Sequence, residues 1–554
     1  MKLNTCVLSP VVKVLPGDHP TQMGNSFSGM RNETISFQIA LWVTDETGRA
    51  RPSLHWQIDS PAAEYLHVRK VKNIPVRYGK MQPADDYYIN NAVPGLYPDV
   101  LSEIPVNGFR MLDGITQTLW FDLEPDGKLS AGDYPVAIRF FDEADELLAQ
   151  TEVQLHIVDA MLPKQTLMHT RWFHSDCLAT YYGAEIFSPQ YWEIVERYIA
   201  CAVRRGINMI LLPIHTPPLD TNIGKYRPTV QLVEVTYKDG KYSFGFERLH
   251  RWVEMCKRCG VEYYEAAHLF TQWGAGFAPQ IIAQTEQGEK RIFGWDTPAV
   301  GGAYEEFLGE YLPAVVSELK KLGIAERVYF HISDEPNAAQ LEGYLAAKKI
   351  AAKHLSGFKI MDALSDIAYF RSGAVEYPVP ATNHIEPFLA ENVPEKWGYY
   401  ACTQGTDVSN VFVTMPGERT RILGVQMYKA ALDGFLQWGF NFYYARRSDY
   451  PINPWFDTDC DGFAPAGDAF VVYPGADGAP VESIRLMLLH HAVQDMRALQ
   501  LLESLRGREY ALSVVDEGIA PITFSSYPHG SEYLPDLRER VNREIEKAAE
   551  EKRA

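Results

Sequence analysis

The sequence predicts an amino-terminal β-sandwich followed by a (β/α)8 TIM-type barrel and a short C-terminal helical extension. Three observations predict it. From about Cys6 to Val158 the chain carries short alternating apolar runs, ETISFQIALWV, TLWFDLEP, GDYPVAIRFF and AQTEVQLHIV, separated by Gly, Pro and Asp. Period-two patterning with frequent turn residues is the signature of strands buried on one face, and two such sheets pack as a sandwich. After Pro163 the pattern changes to alternating strand and helix. Finally, the alternation supplies eight strands, the number that closes a barrel.

The eight strand candidates are TLMHTRWFH, INMILLPIH, VEYYEAAHLF, RVYFHIS, FKIMDAL, PVPATNH, GYYACTQ and FLQWGFNFYY. Between the first two, Tyr191, Ile194, Val195, Tyr198 and Ala202 mark one helical face; Phe246, Leu249, Val253 and Cys256 do so after the second. Later helices read as YEEFLGEYLPAVVSELKKLG, AAQLEGYLAAKKIAAKHLS, the short DIAYFRSG, EPFLAENV, ERTRILGVQMYKAALDG and VESIRLMLLHHAVQDMRALQLLE. The expected boundaries are 1–160 for the sandwich, 165–505 for the barrel and 506–554 for the extension. The final segment, PDLRERVNREIEKAAEEKRA, reads as a solvated surface helix that frays at its end. The loop MQPADDYYINNAVPGLYPDVL reads as too irregular for a strand and suited to covering an interface or lying near the site. A doubly wound open sheet is the alternative architecture, but it usually brings a Gly-rich phosphate loop, and neither G-x-G-x-x-G nor a Walker pattern occurs.

At 554 residues the chain exceeds what one hydrophobic core spans, and 46% apolar with 22% charged residues is ordinary globular usage. The formal charge of -19, from 71 acidic against 52 basic residues with no Lys/Arg-rich block, speaks against nucleic acid as a partner. No stretch approaches the roughly 18 to 20 apolar residues that span a bilayer, so no membrane insertion is expected. The amino terminus, MKLNTCVLSPVVKVLPGDHP, is broken by Pro and polar residues before a secretory apolar core can form, which predicts a cytoplasmic location. Seven scattered cysteines, an odd number, fit reduced thiols. Cys256 and Cys259 have C-x-x-C spacing but lack the second pair of ligands that a structural zinc requires.

Barrel enzymes place their chemistry at the carboxyl ends of the strands. Applied to the eight segments, that rule selects His174 and Asp176, His215, His268, Asp334 and Glu335, Asp362, Asn383 and His384, Gln404, and Asn441 with Tyr443. The sharpest element is HISDEPN, in which Asp334 and Glu335 end an apolar strand and Pro336 is expected to hold Glu335 extended and to open a helix. Neighbouring strand residues point to opposite faces, so both carboxylates reach one cavity only where the strand ends and turns. Read without that context, Ser or Asp followed by Pro is also an ordinary helix start.

Two adjacent carboxylates suit glycosidic cleavage, where the leaving oxygen needs a proton while positive charge develops at the anomeric carbon. Repulsion and burial raise the pKa of one member and leave the other ionised. Conventional retaining or inverting pairs face each other across the bond, so an adjacent Asp-Glu is better matched to substrate assistance by a 2-acetamido group. Trp172, Trp273, Trp438, Tyr443 and Trp455 lie at or near strand ends, where an apolar sugar face can stack.

The segments RNETISFQIAL, GLYPDVL, and WFDLEP to GDYPVAI, then TPPLDTNIGKYRPTVQLVEV, HLFTQWGA, HISDEPN, RTRILG, GFLQWGFNFY and GDAFVVYPGADGAPVESIR carry a resemblance over most of the chain. They resemble family 123 glycoside hydrolases and their relatives, a group typified by β-N-acetylgalactosaminidases. The resemblance implies Glu335 as general acid/base, Asp334 as the group that orients the acetamido and stabilises an oxazolinium-like intermediate, and retention of configuration. It implies no metal and no organic cofactor. It nominates His215, His268, Trp273, Tyr428, Trp438, Asn441 and Tyr443 for the sugar pocket, with a glycan or glycolipid non-reducing end as substrate. Many members are exported, whereas this chain shows no signal, which points to imported oligosaccharides unless a leader has been removed.

Two other readings stay open at this point, along with homo-oligomer formation and the choice between galacto and gluco epimers. One keeps the barrel but uses a distant carboxylate, Asp176, Asp220 or Asp362, as nucleophile on a sugar without the acetamido group. The other is a non-catalytic sugar-binding barrel.

Overall fold

The computed structural model describes residues 2–22, 24–44, 52–104 and 108–553. The amino-terminal region is built from two five-stranded sheets. The first, all antiparallel, runs in the order Lys2–Leu8, Ile35–Thr44, Gln117–Leu123, Leu66–Val76 and Gly95–Ser102. The second runs Ser26–Met30, Leu147–Val158, Gly132–Phe141, Ser53–Asp59 and Gly108–Arg110. The alternating apolar residues meet in one cluster that takes Phe37, Ile39, Leu119 and Phe121 from one sheet and Trp56, Ile138, Phe140, Val153 and Leu155 from the other.

One expectation fails here. The segment ending the Tyr- and Asp-rich loop is a strand, Gly95–Ser102, despite Pro98. It is the outermost strand of its sheet, where proline costs little, and a register shift opposite Lys72 and Asn73 absorbs the irregularity. The loop before it does cover an interface: Tyr88 donates to the Gly405 carbonyl at 2.7 Å, and Arg419 grips Asp85.

All eight expected barrel strands are present and parallel. In chain order they are Met168–Arg171, Met209–Leu212, Tyr263–Ala266, Val328–Phe330, Lys359–Leu364, Tyr377–Pro380, Trp397–Tyr399 and Gly434–Gln437. Pairing runs from the sixth back to the first and on through the eighth to the seventh, and a bridge between Ala381 and Tyr399 nearly closes the ring. Side chains of alternating parity fill the interior: Met168 and Trp172, Met209 and Leu211, Tyr329, Met361 and Ala363, Val379 and Ala381, Trp397 and Tyr399, and Leu436. That parity decides which strand-end residues face the axis.

Two hairpins, Glu234–Lys238 with Lys241–Gly245 and Ile281–Thr285 with Gly288–Phe293, were not expected; they pair into a four-stranded sheet inserted in the loops after strands two and three. The last helix, Tyr533–Arg553, also departs from expectation, because it is docked rather than solvated. Leu534, Leu537, Val541, Ile545 and Ala548 form a buried stripe at helical spacing. Arg538 bonds Glu33 at 2.7 Å and Glu539 accepts from Ser28, so the tail returns to the amino-terminal sheets. Buried ion pairs join those sheets to the barrel: Arg69 and Arg205 converge on Glu482, and Arg485 clasps Asp99 with two bonds of 2.9 and 2.8 Å. Among the described residues no helix is long and apolar enough to cross a membrane.

Candidate active site

The floor of the site is a buried polar network inside the barrel. Glu265, on strand three, accepts from the Thr170 hydroxyl and the Trp172 indole, both at 2.7 Å. His331, just past strand four, lies 2.7 Å from Glu265 and 3.1 Å from Asp362, and Asp362 also accepts from Tyr344 and the Ile332 amide. Burial alone would lower the His331 pKa, but its bonds to Asp362 and Glu265 raise it to about 9. An imidazolium held between two carboxylates therefore sits directly beneath the end of strand four.

Three residues after His331 come Asp334 and Glu335, at the carboxyl end of the barrel as the strand-end rule requires. Asp334 is half-buried and Glu335 is exposed to the cleft. Burial, and then the neighbouring Glu335 carboxylate, push the Asp334 carboxyl well above the usual range. Glu335 is fixed from across the barrel mouth, where the Tyr399 hydroxyl donates to its Oε1 at 2.6 Å. Its other oxygen, Oε2, is thereby left for a ligand.

The expected backbone at Glu335 is wrong. Its φ is +42°, in the left-handed region, not extended. Pro336 disfavours the right-handed helical region for the preceding residue but does not by itself choose between extended and left-handed backbone. The chain is turned here by its anchors: the Trp273 amide donates to the Asp334 carbonyl at 3.0 Å, Ser333 donates to the Thr271 carbonyl at 2.9 Å, and Tyr399 holds the side chain. A non-glycine residue in this region costs about 1 kcal/mol or more, and such strain accumulates at functional sites. The turn brings two consecutive carboxylates close enough for the Glu335 charge to act on Asp334. The helix expected at Pro336 starts later, with Asn337 capping Ala338–Gln340 ahead of Leu341–Ala352.

Left-handed residues crowd the surrounding loops as well: Asp220, Trp273, Ala275, Arg447 and Ser448. They are laced together. Gln272 accepts from the Asp220 amide at 2.5 Å, Ser448 donates to the Asp220 carbonyl at 2.7 Å, Gln340 donates to the Trp273 carbonyl at 2.6 Å, and the Arg447 guanidinium lies 4.9 Å from the Trp273 ring centre. Trp273 remains 38% exposed even with Arg447 over its ring. Trp438 stands at the end of strand eight, half-buried, with its indole donating to Asp468 at 2.8 Å.

The remaining nominated residues are not brought to the cavity. Tyr428 lies outside the barrel near the end of helix Leu423–Ala430, bonded to Glu503 and stacked under Arg508, because a helical rather than a strand segment carries it. Tyr443 is buried, donates to the Val472 carbonyl and packs on Phe470. Asn441 clasps the His174 backbone in both directions, at 2.9 and 3.1 Å. His215 is buried and donates to the His268 carbonyl at 2.8 Å. His268 lies beneath the cleft, stacked 4.2 Å from His331 and edge-on to Trp172. Burial keeps both neutral, lowering His215 to about 4 and His268 well below its ordinary value. Tyr399, conversely, is a site residue the strand-end rule passed over; extending the inward parity of Trp397 and Ala401 finds it.

Of the alternative carboxylates, Asp176 is buried against Arg227 at 3.2 Å and Asp362 is committed to His331 and Tyr344. Among the described residues, His268, His331 and Asp362 bring possible metal-ligating atoms within 4.8 Å of one another. Both nitrogens of His331 are already engaged by carboxylates and the ring is held protonated, so it lacks the lone pair a ligand needs. The seven cysteines are free, Cys256 and Cys259 included.

The family model described as glycoside hydrolase 123, catalytic domain, matches residues 172–502. A family 123 glycoside hydrolase from Clostridium perfringens, studied for glycolipid glycan hydrolysis, superposes with a TM-score of 0.74 at 13% identity, covering 100% of this chain and 99% of that one. A β-glucuronidase from Bifidobacterium dentium aligns with a TM-score of only 0.32 at 8% identity, over 89% of this chain and 66% of that one. No curated protein matches. The family match over more than half the sequence, on a barrel with two carboxylates at its mouth, settles the family: the chain is a glycoside hydrolase and belongs to glycoside hydrolase family 123.

Proposed function

We propose that this hydrolase releases terminal β-linked N-acetylgalactosamine from a glycan or glycolipid with retention of configuration, the sugar's own 2-acetamido oxygen acting as nucleophile. The observation that carries the reading is the adjacency of Asp334 and Glu335 on one left-handed turn. Such a pair cannot face each other across a glycosidic bond, as conventional retaining or inverting pairs do. It can hold two neighbouring parts of one sugar, the glycosidic oxygen and the acetamido group.

In this mechanism Glu335 presents its protonated Oε2 to the leaving oxygen while Tyr399 occupies Oε1. The C1–O bond breaks as the acetamido oxygen closes on C1, and Glu335 gives its proton to the departing alcohol. Asp334 accepts the acetamido N–H and stabilises the positive charge that develops on the oxazolinium ring. Glu335, now ionised, takes a proton from water as that water opens the ring at C1 and restores the β configuration. Burial and the neighbouring charge raise the Asp334 carboxyl, and binding of the acetamido N–H, which donates to the carboxylate, favours its anion. Around this site we read the two amino-terminal sheets as a sandwich and the last helix, Tyr533–Arg553, as a brace.

Four aryl β-glycosides test the reading: the N-acetylgalactosaminide, the N-acetylglucosaminide, the galactoside and the glucoside. Turnover should require the acetamido group and favour the galacto epimer. Cleavage of the plain galactoside alone would remove substrate assistance. Tyr399→Phe is expected to lower kcat about 10-fold to 100-fold with little change in KM, because it loosens the acid's orientation rather than its contact with bound sugar. Steady-state kinetics on the preferred aryl substrate measure this.

A further inference from the structure

We propose that Asp220 is the residue that reads the sugar's 3- and 4-hydroxyls and thereby sets epimer specificity, an inference that rests on the reading above. Asp220 leaves strand two through Leu219, which packs in the same interior cluster as Trp172 and Tyr399. Its backbone is held in a left-handed turn, φ +46°, and gripped on both sides: the amide donates to Gln272 and the carbonyl accepts from Ser448. Gln272 precedes Trp273, whose amide is bonded to the Asp334 carbonyl, so two consecutive loop residues tie Asp220 to the catalytic turn.

The side chain itself is left without work inside the protein. Its Oδ2 is buried and has no hydrogen-bond partner. Arg227 and Arg447 supply favourable charge, yet burial dominates and holds the carboxyl up to about 6. A buried acceptor with no donor is costly unless a ligand completes it. Asp362, by contrast, is satisfied by His331 and Tyr344, and Asp176, whose oxygens also lack a hydrogen bond, is neutralised by its ion pair with Arg227 at 3.2 Å.

Position supplies the hydroxyls. Around the sugar ring the order is C1 with the leaving oxygen, C2 with the acetamido group, then C3 and C4 with their hydroxyls. Asp220 lies near enough to Asp334 for its charge to bear on that carboxyl, and Gln272 and Trp273 tie the two backbones together. A sugar with its glycosidic oxygen at Glu335 and its acetamido at Asp334 thus turns the C3–C4 edge toward Asp220. The galacto and gluco series differ at C4, and an ionised carboxylate can accept two hydroxyl protons from that edge in one arrangement only.

The test uses the full-length enzyme and aryl β-N-acetylgalactosaminides lacking the 3-hydroxyl or the 4-hydroxyl, beside the parent. Wild type should lose roughly 100-fold or more in kcat/KM on at least one deoxy substrate, since a site built to bond a hydroxyl rejects the analogue without it. Asp220→Asn should lose about as much on the parent, mostly in KM, yet little further on that deoxy substrate. Equal losses on parent and both deoxy substrates would overturn the proposal, as would a wild type indifferent to both deletions, a result that needs no variant to fold. Azide rescue of Asp220→Ala, giving a glycosyl azide of inverted configuration, would make Asp220 a nucleophile and overturn the proposal and the substrate-assisted reading together. Failure of substrate assistance alone is read separately, from wild-type turnover of the plain galactoside.

Discussion

Glu335→Gln lowers kcat about 100-fold to 10,000-fold, the range for loss of a general acid/base, while affinity for the product sugar stays within a few fold. The substitution preserves shape and the bond from Tyr399, since an amide oxygen still accepts at the Oε1 position. What it removes, on the proposed mechanism, is the proton that Oε2 delivers to the leaving oxygen. The loss should therefore depend on the leaving group: small for an aryl alcohol that departs as a stable anion, large for an alkyl glycoside that must be protonated. Isothermal titration with N-acetylgalactosamine, together with kcat on both substrate types, separates this outcome from misfolding. A sugar-binding barrel without activity predicts no change in any of these quantities.

The strands of the barrel were legible because they are buried on both faces and therefore read as nearly continuous apolar runs between helical stretches. The inserted hairpins were not, since Glu234–Lys238 and Gly288–Phe293 are mostly exposed and polar and carry little pattern. The docking of the last helix was hidden by charge: Leu534, Leu537, Val541, Ile545 and Ala548 have helical spacing, but Arg and Glu on the other turns dominate the composition.

The site divides along a similar line. Asp334 and Glu335 stood out in the sequence because polar residues ending an apolar strand in a barrel are rarely packing. The same rule overreached at His215 and Asn441. Past a strand's last ladder pair, neighbouring chains carry unsatisfied amides and carbonyls, and polar side chains there are consumed in tying loops together, His215 to the His268 carbonyl and Asn441 to His174. Tyr399 is the last residue of strand seven, but the apolar run GYYACTQ carries on to Gln404, which the rule selected instead. The left-handed turn at Glu335 could not be read from Glu-Pro, because it is imposed by partners from strands three and seven.

Asp334→Asn should cost about 100-fold to 1,000-fold in kcat, the usual effect of removing one preorganised group from a site of developing charge. Asparagine can still accept the acetamido N–H through its oxygen, so ground-state binding changes less than turnover. The deficit should be specific to the cyclised intermediate: a thiazoline analogue of the oxazolinium ring should bind wild type far more tightly than the free sugar and lose that advantage in the variant. Added azide should not restore activity, because the missing group was never the nucleophile. The pH profile supplies a further sign. In wild type, burial and then the Glu335 charge raise the Asp334 carboxyl, so kcat/KM should fall on the acidic side as Asp334 takes up its proton. Asparagine cannot titrate, and that acidic limb should be absent from the Asp334→Asn variant. An acidic limb unchanged in the variant would mean that Asp334 does not act as the anion, and the role given to it in the proposed mechanism would fall.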